Sequence, residues 1–250
     1  MTTEPSSLRD VAVVLVEPLY GGNVGSVARV MGNFGLEELV LVRPDPAIFH
    51  DPRLAPMARG AVALVRGARV VDSLEEALED TELALGFTTR LGRRRRDGYD
   101  LRPAVEKIRR EHPGARVAAV FGREDSGLTT RELNRCHWLV RIPTGPALPS
   151  LNLAQAVGLF AYEVATARAS HLPEPGSGRR VATVAEMEGL YAHFQRVLED
   201  IGFFEEASPD RMMNEVRRIL SRRAPGPRDV RILRGILSKV ELALARARQG

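Results

Sequence analysis

A chain of 250 residues with 44% hydrophobic and 27% charged residues has the length and composition of a globular protein with a buried core. Disordered and collagen-like chains are thereby excluded, and no apolar run reaches the roughly eighteen residues that a membrane-spanning helix needs. The start of the chain also lacks the pattern of a signal peptide, so we expect a cytoplasmic protein. The one cysteine, Cys136, allows neither an internal disulfide nor a cysteine-built metal site, and we expect no metal.

Strand-like and helix-like patterns alternate from residue 11 to about residue 168. The predicted strands are Val11–Val16, Glu38–Val42, Ala68–Val71, Leu83–Phe87, Arg116–Phe121 and Trp138–Ile142. The predicted helices between and after them are Val24–Phe34, Leu74–Glu79, Leu101–Glu111, Thr129–Asn134 and Leu151–Ala169. Such alternation is typical of an α/β domain in which helices cover both faces of a parallel sheet.

A linker is predicted at residues 171–182, where two prolines, two glycines and a serine in HLPEPGSGRR disfavour regular structure. Beyond it, helical spacing of apolar residues predicts three helices, at Val184–Ile201, Pro209–Leu220 and Arg228–Ala247. The sequence therefore predicts a first domain at residues 1–170 and a small helical extension at residues 183–250.

Positive charge is concentrated in that extension. The whole chain carries a net charge of +4, yet from Arg211 onward eleven Arg or Lys residues face three Asp or Glu residues. Such a surplus is typical of surfaces that bind nucleic acid, because neutralised phosphates release their counterions. A solvated helical face in an arginine-rich chain remains the alternative.

The segment at residues 17–35, EPLYGGNVGSVARVMGNFG, leaves a predicted strand through a glycine turn and enters a helix. Its glycines do not keep the G-x-G-x-x-G spacing of dinucleotide-binding folds, so a nicotinamide enzyme is a weak alternative. Asn23 and Arg29 could reach a phosphate or a sugar, although a helix cap and a surface arginine would explain them equally well.

The segment at residues 117–129, VAAVFGREDSGLT, places Arg123, Glu124 and Asp125 at the carboxyl end of a buried strand, where open α/β sheets bind ligands. Gly122 and Gly127 allow the backbone to approach a ligand closely. The segment at residues 141–164 then passes through three prolines into a helix that is apolar almost all round. Such a helix must be covered by the sheet or by a second subunit.

Together, NVGSVARVMGNFG, FGREDSGLT and IPTGPALPSLNLAQAVGLFAYE resemble the motifs of the SPOUT superfamily of RNA methyltransferases, and in particular its SpoU (TrmH) type of 2′-O-ribose methyltransferases. The resemblance covers most of residues 11–168. The turn GFTTR at residues 86–90 and the helical extension resemble the TrmJ branch, which methylates the first nucleotide of the tRNA anticodon loop, a cytidine or uridine at position 32.

The resemblance implies a SPOUT fold with a C-terminal trefoil knot and S-adenosyl-L-methionine as cofactor. It also implies a homodimer formed through the helices after the first and third motifs. The implied cofactor loops comprise Thr88, Thr89 and Arg90, then Gly122, Arg123 and Glu124, and finally Ile142 to Leu151 with Pro149 and Ser150.

The implied catalytic residues are Asn23, Arg29, Glu124, Ser150 and Asn152. A guanidinium holds its proton too tightly to act as a base, so we expect Arg29 to bind the target phosphate and stabilise the developing oxyanion. Asn23 and Asn152 would orient the nucleotide, and Ser150 would help to shape the site. The expected contacts to tRNA are Arg93, Arg94, Arg95, Arg96, Arg217, Arg218, Arg222 and Arg223.

Three alternatives remain open. The chain could methylate ribosomal RNA or another tRNA position, or it could be a non-catalytic RNA-binding protein with the same fold. The basic extension could also serve mainly to support a dimer.

Overall fold

The structure is a computed structural model, and it describes residues 8, 10–89, 98–169, 181–204, 208–221 and 225–248. Apart from residues 181 and 182, the predicted linker lies outside the described residues.

A parallel sheet forms the centre of the first domain. In the described part of the chain its strands are β1 (Val11–Val16), β2 (Glu38–Val42), β3 (Arg69–Val71), β4 (Leu83–Phe87), β5 (Gly98–Asp100), β6 (Val117–Phe121) and β7 (Trp138–Arg141). They run in the order β3-β2-β1-β6-β4-β7-β5, and every neighbouring pair is parallel. The six predicted strands are confirmed, and β5 was not predicted.

Helices lie on both sides of this sheet and continue into the extension. They are α1 (Gly21–Asn33), α2 (Leu54–Ala58), α3 (Val62–Arg66), α4 (Leu74–Ala77), α5 (Leu101–Glu111), α6 (Thr130–Leu133), α7 (Leu153–Ala169), α8 (Val184–Asp200), α9 (Pro209–Ser221) and α10 (Pro227–Ala247). Short 3-10 turns occupy Pro46–His50 and Arg59–Ala61. The elements between β2 and β3 were not predicted, whereas the predicted helices are confirmed with small changes at their ends.

The sheet is buried on both faces, which explains why its central strands are apolar at every position. All six residues of β1 are buried. Alternate β1 residues, such as Val13 and Val14, enter different cores. One core contains residues of α1, α5 and α7, and the other contains Leu74 of α4 and Val184 of α8.

The glycines of α1 serve packing. A Cβ atom on Gly25 would lie 2.3 Å from the backbone oxygen of Leu54, so only glycine lets α2 approach α1 this closely. The segment after β2 therefore packs directly against the first turns of α1.

The helical extension has a core of its own and also contacts the first domain. The Val184 N–H donates to the Thr81 carbonyl oxygen at 2.8 Å. Glu188 of α8 accepts hydrogen bonds from Arg135 of the first domain, at 3.0 Å, and from Arg217 of α9, at 2.5 and 2.8 Å. Burial alone would raise the pKa of Glu188, but the bond from Arg217 and the charges of both arginines hold that pKa below its usual value. Glu188 thus joins the two parts of the chain.

Within the described ranges, no helix is both long and apolar enough to cross a membrane. The same residues contain no group of three or more His, Cys, Asp or Glu side chains that could hold a metal ion. Burial raises the pKa of the Cys136 thiol to about 12, which is typical of an unreactive, structural cysteine.

Candidate active site

The three loops predicted to bind the cofactor leave three neighbouring strands at the same edge of the sheet. β4 lies between β6 and β7, with Gly86 opposite Val120 and Phe87 opposite Val140. The Thr88 N–H donates to the Val140 carbonyl oxygen at 3.0 Å. Because the strands are parallel, the residues that follow them emerge side by side, where α/β sheets bind ligands. Thr88 and Thr89 belong to the first loop, and Arg90 lies outside the described residues.

Gly122 permits a tight turn directly after β6. A Cβ atom there would lie 2.2 to 2.4 Å from backbone atoms of Gly127 and Leu128. The turn closes through a hydrogen bond from the Gly127 N–H to the Arg123 carbonyl oxygen, 2.9 Å long, and Gly127 itself has a φ of +71°. The sequence predicts that the backbone here approaches a ligand closely, which stays a prediction; the close contact at Gly122 is with the backbone of Gly127 and Leu128.

Three of the predicted catalytic side chains form one hydrogen-bonded chain. The Asn23 amide nitrogen donates to Oε1 of Glu124 at 2.9 Å, while the Asn152 amide nitrogen donates to Oδ1 of Asn23 at 3.1 Å. Glu124 also accepts from the Leu19 N–H at 2.9 Å, and Oδ1 of Asn152 accepts from the Ala154 N–H at 2.9 Å. All three predicted motifs therefore meet at this chain, which fixes the orientation of both amides.

Arg29 and Ser150 stand apart from that chain. The Arg29 side chain is exposed on α1, and among the described residues it makes no hydrogen bond or ion pair. Ser150 is also exposed, and no hydrogen bond among the described residues joins it to Asn23, Glu124 or Asn152. An unpaired, exposed guanidinium keeps all its donors available for a phosphate.

The Arg123 side chain is engaged within the protein. It binds Glu17 and Glu132, with its Nη2 atom 3.0 Å from Oε1 of Glu132. It also lies 3.4 Å from the Gly127 carbonyl oxygen. Since its side chain is occupied, Arg123 could bind a cofactor only through its backbone groups.

The loop from Ile142 to Leu151 suits a ligand that is bound through backbone groups. Residues 143–150 are exposed, and Thr144 donates to the Pro149 carbonyl oxygen at 3.0 Å. The N–H groups of Gly145, Ser150 and Leu151 make no hydrogen bond within the described part of the chain. Unpaired donors beside two further strand ends fit the adenine and the ribose hydroxyls of a nucleoside.

The residues predicted to contact RNA fall into three groups. Arg93, Arg94, Arg95, Arg96, Arg222 and Arg223 lie outside the described residues. Arg218 pairs with Glu215 within α9 at 2.5 Å. Arg217 binds Glu188 through both nitrogens and lies over the Tyr191 ring at 4.3 Å, an arrangement that holds α9 against α8. RNA binding by these arginines stays a prediction, and for Arg217 the geometry favours a packing role.

Glu17, which binds Arg123 and whose second partner is Arg43, was not singled out from the sequence. Glu17 and Arg43 each directly follow a strand, and each has a φ of +45°, which is unusual for residues other than glycine. The signal available in the sequence was a charged residue at a strand's carboxyl end, the same signal that singled out Glu124.

The fold and this strand-end site agree with a comparison of the chain with protein families. The model of the SpoU rRNA Methylase family matches residues 10–162. The chain belongs to this family, as the resemblance of its motifs implied. A second model, described as the C-terminal domain of the tRNA methyltransferase TrmJ, matches residues 185–250.

Two of the similar proteins match nearly the whole chain, and a third matches about two thirds of it. A tRNA (cytidine/uridine-2′-O-)-methyltransferase TrmJ from Pectobacterium atrosepticum is 38% identical over 240 residues, which are 94% of this chain and 98% of the relative. The crystal structure of TrmJ from Z. mobilis aligns with a TM-score of 0.77 and 32% identity, covering 92% of this chain and 98% of that one. A structure described as concerning the 2-OH methylation of C/U34 on tRNA aligns with a TM-score of 0.51 and 30% identity, covering 64% of this chain and 91% of that one.

Proposed function

We propose that this protein transfers a methyl group from S-adenosyl-L-methionine to the ribose 2′-hydroxyl of a cytidine or uridine in tRNA. The observation that carries the proposal is the Glu124–Asn23–Asn152 chain, which joins three motifs beside the ends of β4, β6 and β7. Relatives named as tRNA (cytidine/uridine-2′-O-)-methyltransferases, which match over 94% of the chain, support the same reaction and substrate.

Among the described residues, one group would bind the cofactor and another would orient the target nucleotide. When bound, S-adenosyl-L-methionine supplies a methyl group on a positively charged sulfur. The turn at Gly122 and the unpaired N–H groups of Gly145, Ser150 and Leu151 would hold it. Asn23 and Asn152, fixed by Glu124, would orient the target ribose, and proper orientation alone lowers a barrier substantially. Arg29 would bind the adjacent phosphate and stabilise negative charge on the 2′-oxygen.

The helical extension supports position 32 over position 34. The structure described for C/U34 methylation is itself covered to 91% yet covers only 64% of this chain. The match to the TrmJ C-terminal domain covers residues 185–250. We therefore assign the extension to recognition of tRNA by a TrmJ-type enzyme. Methylation of another tRNA position or of ribosomal RNA is the second candidate, favoured by the family's description as rRNA methylases.

The deciding experiment incubates the full chain with S-adenosyl-L-methionine and a transcribed tRNA pool, followed by mass spectrometry of nucleosides and of mapped fragments. We expect 2′-O-methylcytidine or 2′-O-methyluridine at position 32, and its loss in the Glu124→Gln variant. A methyl group on a base, a product confined to ribosomal RNA, or no product from folded protein would each contradict the proposal.

We further propose a homodimer in which α7 and α1 meet their copies in a second subunit. Leu159 and Tyr162 of α7 are 43% and 51% exposed, which is unusual for large apolar side chains on a helix that is otherwise buried. Light scattering of a Leu159→Glu variant tests this, with a monomer expected. A dimer of unchanged stability would contradict it.

The proposed organisation is a catalytic domain at residues 1–170, a linker at residues 171–182 and an extension at residues 183–250, which the two family-model ranges support. Family membership also supports a trefoil knot in the second half of the catalytic domain. A bacterial tRNA-modifying enzyme of this kind would act in the cytoplasm.

A further inference from the structure

Glu17 bridges two arginines at the carboxyl ends of neighbouring strands. It directly follows β1, and its Oε2 atom accepts a hydrogen bond from Nε of Arg123 at 2.6 Å. Its Oε1 atom accepts from Nε of Arg43, the residue directly after β2, at 2.8 Å. β1 pairs with both β2 and β6, so one carboxylate links three adjacent strand ends. Burial would raise the pKa of Glu17, but the hydrogen bonds from Arg123 and Arg43 lower it, so the carboxylate stays charged.

Arg123 carries this link into the turn after β6. Besides Glu17, it binds both oxygens of Glu132, at 3.0 and 3.2 Å, and the Gly127 carbonyl oxygen at 3.4 Å. Glu132 is buried and also caps α6 through the Thr129 N–H at 2.7 Å. Arg123 is therefore held from two sides, by Glu17 and by Glu132, and releasing Glu132 would leave a buried carboxylate without its cationic partner.

The next contacts along the same two segments belong to the proposed active site. Two residues after Glu17, the Leu19 N–H donates to Glu124, and Asn23 donates to the other oxygen of that carboxylate. The segment from Glu17 to Asn23 and the turn from Gly122 to Gly127 are thus tied twice, once through Arg123 and once through Glu124. Because Arg123 and Glu124 are consecutive, the first tie limits where the second can form.

We propose that Glu17 is a positioning residue that acts through Arg123 to hold the Gly122–Gly127 turn, and with it Glu124 and Asn23, in the geometry of the active site. The inference rests on the proposed function for its effect on methyl transfer. The φ of +45° at Glu17 supports it, because glycine would adopt this conformation without strain yet cannot provide the carboxylate. Sites that keep a strained residue commonly use it in binding or catalysis.

The test compares Glu17→Gln, which keeps the shape but loses the charge, with Glu17→Gly, which removes both the carboxylate and the strain. Arg43→Ala is the matched control, because it removes the other partner of Glu17 and leaves Arg123 in place. We expect both Glu17 variants to lower kcat for tRNA methylation by about tenfold or more, because small displacements of positioned groups are costly, with a smaller change in KM. Arg43→Ala should stay within about twofold of the parent.

Two readouts do not depend on turnover. Hydrogen exchange of the Gly127 amide, which closes the turn on Arg123, should accelerate in both Glu17 variants and stay unchanged in Arg43→Ala. Calorimetry should show weaker binding of S-adenosyl-L-methionine by both Glu17 variants, because the turn is one of the proposed cofactor loops. Glu17→Gly should melt no lower than Glu17→Gln, since it relieves the strain.

The proposal is overturned if the Glu17→Gly and Glu17→Gln variants have the same hydrogen-exchange rate at the Gly127 amide and the same kcat as the parent. It is also overturned if Arg43→Ala loses as much activity as they do. A parent protein that methylates no tRNA would sink the proposed function alone, because the exchange and binding measurements would still report whether Glu17 holds the turn.

Discussion

The Asn152 side chain donates a hydrogen bond to Oδ1 of Asn23, 3.1 Å away, although the two residues lie 129 positions apart in the chain. An amide that donates to one neighbour and accepts from another can take only one orientation. Asn23 donates to Glu124 and accepts from Asn152, and Asn152 in turn accepts from the Ala154 N–H. Glu124 therefore fixes which atoms of both asparagines are presented to a bound nucleotide.

Replacing Asn23 and Asn152 by alanine, singly and together, should show strong coupling. Either change removes their mutual hydrogen bond, so we expect each single variant to lower kcat/KM. The loss of transition-state stabilisation in the double variant should be much smaller than the sum of the two single losses. Residues in one hydrogen-bond network show coupling of about 0.5 to 3 kcal/mol. The measurement is kcat/KM for tRNA methylation by all four proteins.

Gln155→Ala is the control for that cycle. Gln155 accepts from the backbone N–H of Asn152 at 3.3 Å, and no hydrogen bond joins it to Asn23. Its effect should add to that of Asn23→Ala. Equal coupling for Gln155 and Asn152 would mean that the start of α7 matters as a whole and that the side-chain bond does not.

Arg29→Ala should lower methyl transfer by about a hundredfold, the scale of losing one donor to a developing oxyanion. Because Arg29 is exposed and makes no hydrogen bond or ion pair among the described residues, the melting temperature of the Arg29→Ala variant should hardly differ from that of the parent. Single-turnover kinetics with saturating tRNA would measure the rate of methyl transfer in both proteins. Arg66→Ala, another exposed arginine of the same domain, should behave as the parent. Unchanged transfer by folded Arg29→Ala would remove Arg29 from the mechanism.

The strands could be predicted from the sequence because a doubly covered parallel sheet requires apolar residues at every central position. β5 escaped prediction for the opposite reason. It has three residues, Gly98 to Asp100, and exists only because it pairs with β7. The short helices between β2 and β3 likewise depend on tertiary packing, since α2 sits where Gly25 lets a backbone approach α1.

The members of the active site could be named from the sequence, but their contacts could not. Strand ends and motif resemblance singled out Asn23, Glu124 and Asn152, yet which atom binds which follows from the sheet order. Charge counting also cannot separate a solvated arginine from a paired one. Arg217 contributes to the basic surplus of the extension, and Glu188, 29 positions earlier, holds it within the protein.

Neutralising exposed cations of α10 should weaken tRNA binding and flatten its salt dependence. Arg231 and Lys239 are exposed there, and each phosphate contact contributes roughly one to the slope of log affinity against log salt. The double variant Arg231→Gln with Lys239→Gln should lose up to about two from that slope and keep its affinity for S-adenosyl-L-methionine. A matched double variant in the catalytic domain, Arg66→Gln with Arg131→Gln, should change the slope less. Equal slopes for the parent and the α10 variant would instead favour a dimer-supporting role for the extension.

His137 should make the protein less stable as the pH falls from about 6.5 to about 4. The pKa of His137 is lowered to about 4, chiefly by burial, while the charge of Glu188 opposes this shift and the charge of His112 adds to it. Its Nδ1 accepts the Ala84 N–H at 2.9 Å, a bond that protonation would break. The unfolded chain binds this proton at a higher pH than the folded chain does. The contribution of neutral His137 to the free energy of unfolding is therefore fully present above the unfolded pKa and is lost as the pH falls below it, by at most roughly 3 kcal/mol.

The paired carboxylates Glu17, Glu132 and Glu188 have lowered pKa values and lose their contribution only below about 4.5, so the window from 4.5 to 6.5 isolates the histidines. His137→Asn keeps an acceptor for the Ala84 N–H and cannot titrate. Urea unfolding at pH 7.0 and pH 5.0 should therefore show a smaller loss of stability for His137→Asn than for the parent. As a control, His50→Gln replaces an exposed histidine, and it should show the same loss of stability between pH 7.0 and pH 5.0 as the parent. An equal loss for the parent and His137→Asn would show that His137 does not cause the effect, and His112, whose pKa burial also lowers, would be the next histidine to replace.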